Sequence, residues 1–115
     1  MITIKSLDGK DLHINENAIS MISGGAHTNI FTLDGPKHAT AESPQALVNR
    51  LGVHFAKLTR PDGSPVWVKP SAVNVIREPI STEMQGNKVN AVIQVAPAFK
   101  QALREDVATA SRMLS

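Results

Sequence analysis

With 115 residues, 42% of them hydrophobic, the chain has the size and composition of one globular domain, and half that length is about the smallest unit that folds unaided. Aromatics make up only 3%, so the core must come from Ile, Val, Leu, Ala and Met, and the absence of Cys excludes disulfides, thiolate metal sites and thiol catalysis. No run approaches the roughly 20 apolar residues of a membrane-spanning helix, and the net charge of +2 is too small to mark the whole chain as a polyanion binder.

The first segment, Ile2-Thr3-Ile4-Lys5, alternates as a strand and has neither the basic nor the apolar region of a signal peptide, so a cytoplasmic location is the expectation. Asp8-Gly9 supplies a tight turn, because Gly adopts positive φ without steric cost. A second strand around Leu12-His13-Ile14 would then pair Ile4 with Leu12 and Thr3 with His13. Asn15-Glu16-Asn17 breaks the chain before a third strand at Ala18 to Ile22. A short loop, Ser23 to Thr28, leads to a fourth strand at Asn29 to Leu33, and a fifth extended stretch runs from Lys37 to Ala41. Ser43-Pro44 opens a helix, with Ser as N-cap and Pro at the first helical position. Ala46, Leu47 and Leu51 should line one side of it before Gly52 ends it.

The same unit is then written again. Residues 2–22 recur at 56–76 without a gap, so that Ile4, Leu12, Ile14, Ala18, Ile19, Met21 and Ile22 fall on Leu58, Val66, Val68, Ala72, Val73, Val75 and Ile76. Asp8-Gly9 falls on Asp62-Gly63, where Pro61-Asp62-Gly63 suits a type I turn closed by a left-handed Gly and would pair Leu58 with Val66 and Lys57 with Trp67. Lys69-Pro70-Ser71 precedes a third strand at Ala72 to Ile76. The loop that follows, Arg77 to Lys88, is much longer than its counterpart. It moves the register of the fourth strand, Val89 to Val95, to an expected offset of 62. A fifth strand at Phe99 to Leu103 leads to a helix whose N-terminal end carries Glu105 and Asp106, and whose apolar stripe is Val107, Ala110, Met113 and Leu114. The expected fold is mainly β with short helices (α+β): repeat one at 1–53 and repeat two at 54–115 form one compact domain, packed about a pseudo-twofold axis as an antiparallel β barrel or sandwich.

No spacing of side chains points to catalysis. His13, His27, His38 and His54 share no helical face and no carboxylate pair accompanies them, no Gly-x-Ser-x-Gly elbow surrounds any serine, and Gly24-Gly25 lacks the Lys-Ser/Thr of a phosphate loop. The acidic residues Asp8, Asp34 and Asp62 lie in turns. Neither a cofactor nor a metal nor a small-molecule substrate is expected, and the protein reads as not an enzyme. Trp67 stands apart, since alternation puts it on the face opposite Val66 and Val68, across from Lys57. Such a pair can make a cation–π contact of about 0.5–1 kcal/mol, and alternatively the ring covers the helix or the other copy. Repeat one carries four Lys/Arg against five Asp/Glu and repeat two eight against five, so any electrostatic surface belongs to the second copy.

Leu7-Asp8-Gly9-Lys10, Leu12-His13-Ile14-Asn15, the Ala18-Ile19 to Ile22 strand, and Phe31-Thr32-Leu33-Asp34-Gly35 leading to Glu42-Ser43 give the first copy its resemblance to the FlbD family, small proteins encoded among flagellar genes and known as swarming motility proteins. The second copy keeps the frame in Leu58-Thr59-Arg60-Pro61-Asp62-Gly63, Val66-Trp67-Val68 and Arg104-Glu105-Asp106-Val107. Members of that family are typically a single unit, and the resemblance implies no catalytic residue. The second copy is also similar to the carbon storage regulator family, small intertwined β dimers that bind RNA, through Leu58-Thr59-Arg60, Gly86-Asn87-Lys88-Val89 and Ala96-Pro97 to Arg104-Glu105-Asp106-Val107. That likeness implies RNA contact by Leu58, Arg60 and Arg104, and at the two charged positions the first copy has Ser6 and Glu42 instead.

The expectation is therefore a cytoplasmic interaction module that binds a protein partner or associates with itself, with a candidate surface at Lys57, Leu58, Arg60, Trp67 and Arg104 and the 77–88 loop beside it. RNA binding by the basic second copy is the alternative, and a structural subunit of a phage or flagellar assembly is a third reading. No membrane contact is expected.

Overall fold

The computed structural model describes residues 1–84, Gly86 and 88–115. Asn87, in the turn that carries part of the second resemblance, and Gln85 lie outside the described residues.

Each half of the chain builds five strands and a helix. In the first half these are β1 (Ile2–Lys5), β2 (Asp11–Ile14), β3 (Ile19–Ser23), β4 (Thr28–Thr32), β5 (Lys37–Thr40) and α1 (Pro44–Leu51). The second half repeats them as β6 (Ala56–Thr59), β7 (Pro65–Val68), β8 (Val73–Arg77), β9 (Ala91–Val95), β10 (Phe99–Leu103) and α2 (Val107–Met113). The class is α+β, dominated by antiparallel pairs.

Both tight turns form as the Asp-Gly pairs imply. Gly9 and Gly63 take φ of 85° and 91°, and their N–H groups donate to the carbonyls of Ser6 and Arg60 at 3.0 and 2.9 Å. The hairpin registers follow, with Thr3 opposite His13, Ile4 opposite Leu12, Lys57 opposite Trp67 and Leu58 opposite Val66. The breaks at Asn15–Asn17 and Lys69–Ser71 become single 3-10 turns at Glu16–Ala18 and Pro70–Ala72, so each third strand starts one residue later than expected. In both copies the third strand bulges, between Ile19 and Met21 and between Val73 and Val75. Such a bulge inserts one residue and turns the following side chains to the other face.

Beyond the long loop the copies match at an offset of 63 rather than 62. Thr28 opposite Thr40 corresponds to Ala91 opposite Leu103, and Phe31 opposite Lys37 to Gln94 opposite Lys100. The helix caps correspond as well, since the Ser43 side chain accepts from the Ala46 N–H and the Asp106 side chain from the Thr109 N–H. The apolar stripes differ in detail from expectation. Ala46 is exposed and Val48 packs on the core instead, while Met113 is 37% exposed and leaves Ala110 and Leu114 to anchor α2.

The strands fall into three sheets, ordered β5-β4-β3-β7-β6, β10-β9-β8 and β1-β2, and they do not close into a barrel. The five-stranded sheet joins the copies through β3 and β7, with Met21 opposite Val68, Ile22 opposite Trp67 and Ser23 opposite Val66. It lies between two cores. On one face Ile22, Ile30 and Trp67 meet Ile4, Ile14, Leu47, Leu51 and Phe55; on the other Met21, Val66 and Val68 meet Leu58, Ile93, Val95, Leu103, Ala110 and Leu114. The molecule measures 41 × 26 × 22 Å. Each fully buried aliphatic side chain contributes roughly 1.5–3 kcal/mol.

A strict twofold relation between the copies would turn the β3–β7 pairing into a β8–β2 pairing. That mate is missing: β2 pairs with β1 alone, and among the described residues β8 pairs with β9 alone. The residues at the two seams account for the difference. Trp67 and Phe55 cross from the second copy into the first core, and Met21 and Phe31 cross into the second, where Phe31 meets the Phe99 ring edge-on at 4.9 Å. At the corresponding places of the other seam stand His13, Met1, Val75 and Gln94, which offer far less apolar area to bury.

Candidate functional site

The structure divides the expected surface in two. Trp67 is only 5% exposed and Leu58 1%, so both side chains belong to cores and not to a docking face. Strand alternation does place Trp67 opposite Val66 and Val68, but the second face of this sheet is covered by the first copy, so neither face of β7 is solvated. Lys57 still lies over the indole, 5.5 Å from its centroid, and roofs the ring while its own ammonium stays exposed.

Arg60 and Arg104 do come together, at the β6–β7 turn where β10 ends. The Arg104 N–H donates to Thr59 O at 2.9 Å and its Nε to Pro61 O at 2.9 Å, while Arg60 Nε and a terminal nitrogen reach Gln101 Oε1 at 3.4 and 3.5 Å. Glu105 joins the same corner by accepting from the Thr59 N–H at 2.9 Å. Lys100 lines the shallow depression here together with Arg60, Pro61, Asp62 and Gln101. Asp62 is held below the usual carboxylate range by the Ser64 hydroxyl and N–H and by the Arg60 charge. The corner is thus a cationic patch with an anion built into it. Lys57 points to the opposite face of β6.

The long loop is tied back to β8. The Arg77 guanidinium donates two bonds of 2.7 Å to the Glu83 carboxylate, which also accepts from the Ile80 N–H at 3.0 Å. Together with the nearby Lys100 charge, these contacts hold the Glu83 carboxyl down at about 2. A fork of this kind is geometrically specific, and it fixes a loop that presents Ile80 at 58% and Met84 at 47% exposure. Next to its root, Val75 on the free edge of β8 is 40% exposed, although its counterpart Met21 is 2% exposed.

An open cleft of about 450 Å³ lies between the two 3-10 turns, lined by Asn17, Val53, His54, Lys69, Pro70 and Ser71. Lys69 spans it, its Nζ donating to Glu16 O at 3.0 Å, and burial lowers its pKa. Lys69 and the exposed His54 are the titratable side chains in its lining. Among the described residues no three His, Cys, Asp or Glu side chains gather as metal ligands, and no helix is long and apolar enough to cross a membrane.

No protein family, curated protein or solved structure matches this chain.

Val75 is exposed and Gln94 half-buried, which the apolar pattern of the repeat did not indicate. The signal was present in the repeat, because the large apolar Met21 and Phe31 become a smaller and a polar residue in the second copy.

Proposed function

We propose that the chain is a non-enzymatic, cytoplasmic interaction module, in essence a tandem FlbD-like scaffold, whose binding surface is the free edge of β8 with the loop that follows it. The observation that carries this reading is the outer edge of β8, unpaired among the described residues, beside exposed Val75, Ile80 and Met84. Unpaired strand edges present rows of N–H and C=O groups that pair readily with another strand, and exposed apolar side chains beside such an edge add burial to the hydrogen bonds. The test compares wild-type and Val75→Lys baits at equal loading. Partners retained by the first and lost by the second support the reading, and identical sets overturn it.

RNA binding remains the second reading, and the Arg60, Lys100 and Arg104 corner favours it. Against it, both arginines already donate to protein oxygens and Asp62 sits among them. Phosphate contacts would make affinity fall steeply with salt. Titrating labelled single-stranded RNA at two salt concentrations decides this, and absence of binding at the lower one removes it.

A further inference from the structure

We infer that the free edge of β8 is completed by β2 of a second copy of this chain, in the register that β7 adopts on β3. This rests on the reading of β8 as the binding edge and adds the identity of its partner.

The chain itself supplies the template. On β3, Met21, Ile22 and Ser23 face Val68, Trp67 and Val66, and the Lys69 N–H extends the ladder to Ser20 O at 2.9 Å. The corresponding set on β8 is Val75, Ile76 and Arg77 facing Ile14, His13 and Leu12, with the Asn15 N–H directed at Asn74 O. Both halves of that set are free, since β2 and β8 each have one unpaired edge among the described residues. They also match in length and in hairpin context, as β1–β2 and β6–β7 share turn and register. The exposure is appropriate: His13, Asn74 and Val75 are exposed, and Leu12 and Ile76 half-buried.

A second molecule fits this edge better than closure within one chain. The copies are already locked together by β3–β7 and by three buried side chains and the half-buried Phe31 across it, and in that arrangement β2 and β8 share no ladder among the described residues. A second copy brings a β2 to the edge without disturbing the lock. Because each molecule offers both edges, two reciprocal seams close a twofold dimer in which the surfaces are self-complementary. Each seam turns a three-stranded and a two-stranded sheet into a five-stranded one with the strand order of the sheet already present. The seam is short and carries His13 and Gln94 where the permanent one has Trp67 and Phe31, so the association is concentration dependent.

Because the chain has no Cys, introduced thiols report the seam directly. In the His13→Cys/Ile76→Cys double variant, mild oxidation should give a reducible covalent dimer, as should a mixture of the two single variants, while His27→Cys, at an exposed hairpin tip, should not cross-link. A disulfide confined to one chain, or no disulfide, overturns the inference. Sedimentation equilibrium provides the second measurement: wild type should dimerise with rising concentration and Val75→Lys, altered at an exposed position, should stay monomeric with an unchanged circular dichroism spectrum. A wild type that is monomeric throughout overturns the second-copy partner. If it nevertheless binds a different protein in a Val75-dependent way, β8 remains a binding edge and only the partner assigned here is removed.

Discussion

Replacing Trp67 with Ala separates a two-sided sheet from one with a solvated face. The indole is 5% exposed and belongs to the core formed with Ile4, Ile14, Ile22, Leu47 and Phe55, so truncation removes its burial and leaves a cavity. Aromatic-to-Ala changes of this kind cost about 3–5 kcal/mol, against a total of roughly 5–15 kcal/mol for a domain. At this chain length the midpoint of thermal unfolding should fall by roughly 10–25 °C. Lys57→Met bounds the contribution of the ammonium over the ring, which should be no more than about 1 kcal/mol. Urea unfolding followed by far-ultraviolet circular dichroism measures both variants, and the double variant gives the coupling between them. A loss below about 0.5 kcal/mol for Trp67→Ala, the range of ordinary surface substitutions, would refute the burial of this ring and with it the packing of the first copy against β7.

Other changes test the caps, the loop and the buried polar groups. Ser43→Ala and Asp106→Ala each remove an acceptor from a helix N-terminus and should cost about 1 kcal/mol in urea unfolding, within the usual range for lost N-caps. For Glu83 the folded-state pKa lies below the ordinary 4.5, at about 2. Its contribution is therefore fully present above pH 4.5 and lost as pH falls toward 2, and the stability difference between wild type and Glu83→Gln should shrink over that window in acid titrations. A difference constant through that window would mean that the Arg77–Glu83 fork does not form. Ser23 is fully buried and its hydroxyl has no hydrogen-bond partner among the described residues; Ser23→Ala should leave stability unchanged or raise it by about 1 kcal/mol, and a clear loss would reveal a bond to that hydroxyl.

Local chemistry made most of the fold legible. Asp8-Gly9, Asp62-Gly63 and Ser43-Pro44 name their own turns and cap, and two-residue periodicity around Ile4 and Leu58 fixes the hairpin registers. Those signals act over a few residues. The β3–β7 seam could not be read the same way, because it joins Ile22 to Trp67 across an entire copy of the unit. Alternation located Trp67 on its face correctly, but whether that face meets water depends on what the other copy places over it. The same limit applied to the site: Arg60 and Arg104 followed from the resemblance of the second copy to the carbon storage regulator family, whereas the free edge of β8 is defined by a strand that is absent beside it among the described residues.

The four aromatic side chains of the chain, Phe31, Phe55, Trp67 and Phe99, all sit where the two copies meet. Intrinsic fluorescence is for that reason a docking gauge and not a general measure of folding. Emission from the lone indole follows separation of the copies, even if β1–β2 or β8–β10 keeps its hairpin hydrogen bonds. Fluorescence and backbone signals recorded on one sample would thus distinguish copies that come apart before they unravel from a molecule that melts as a single cooperative unit.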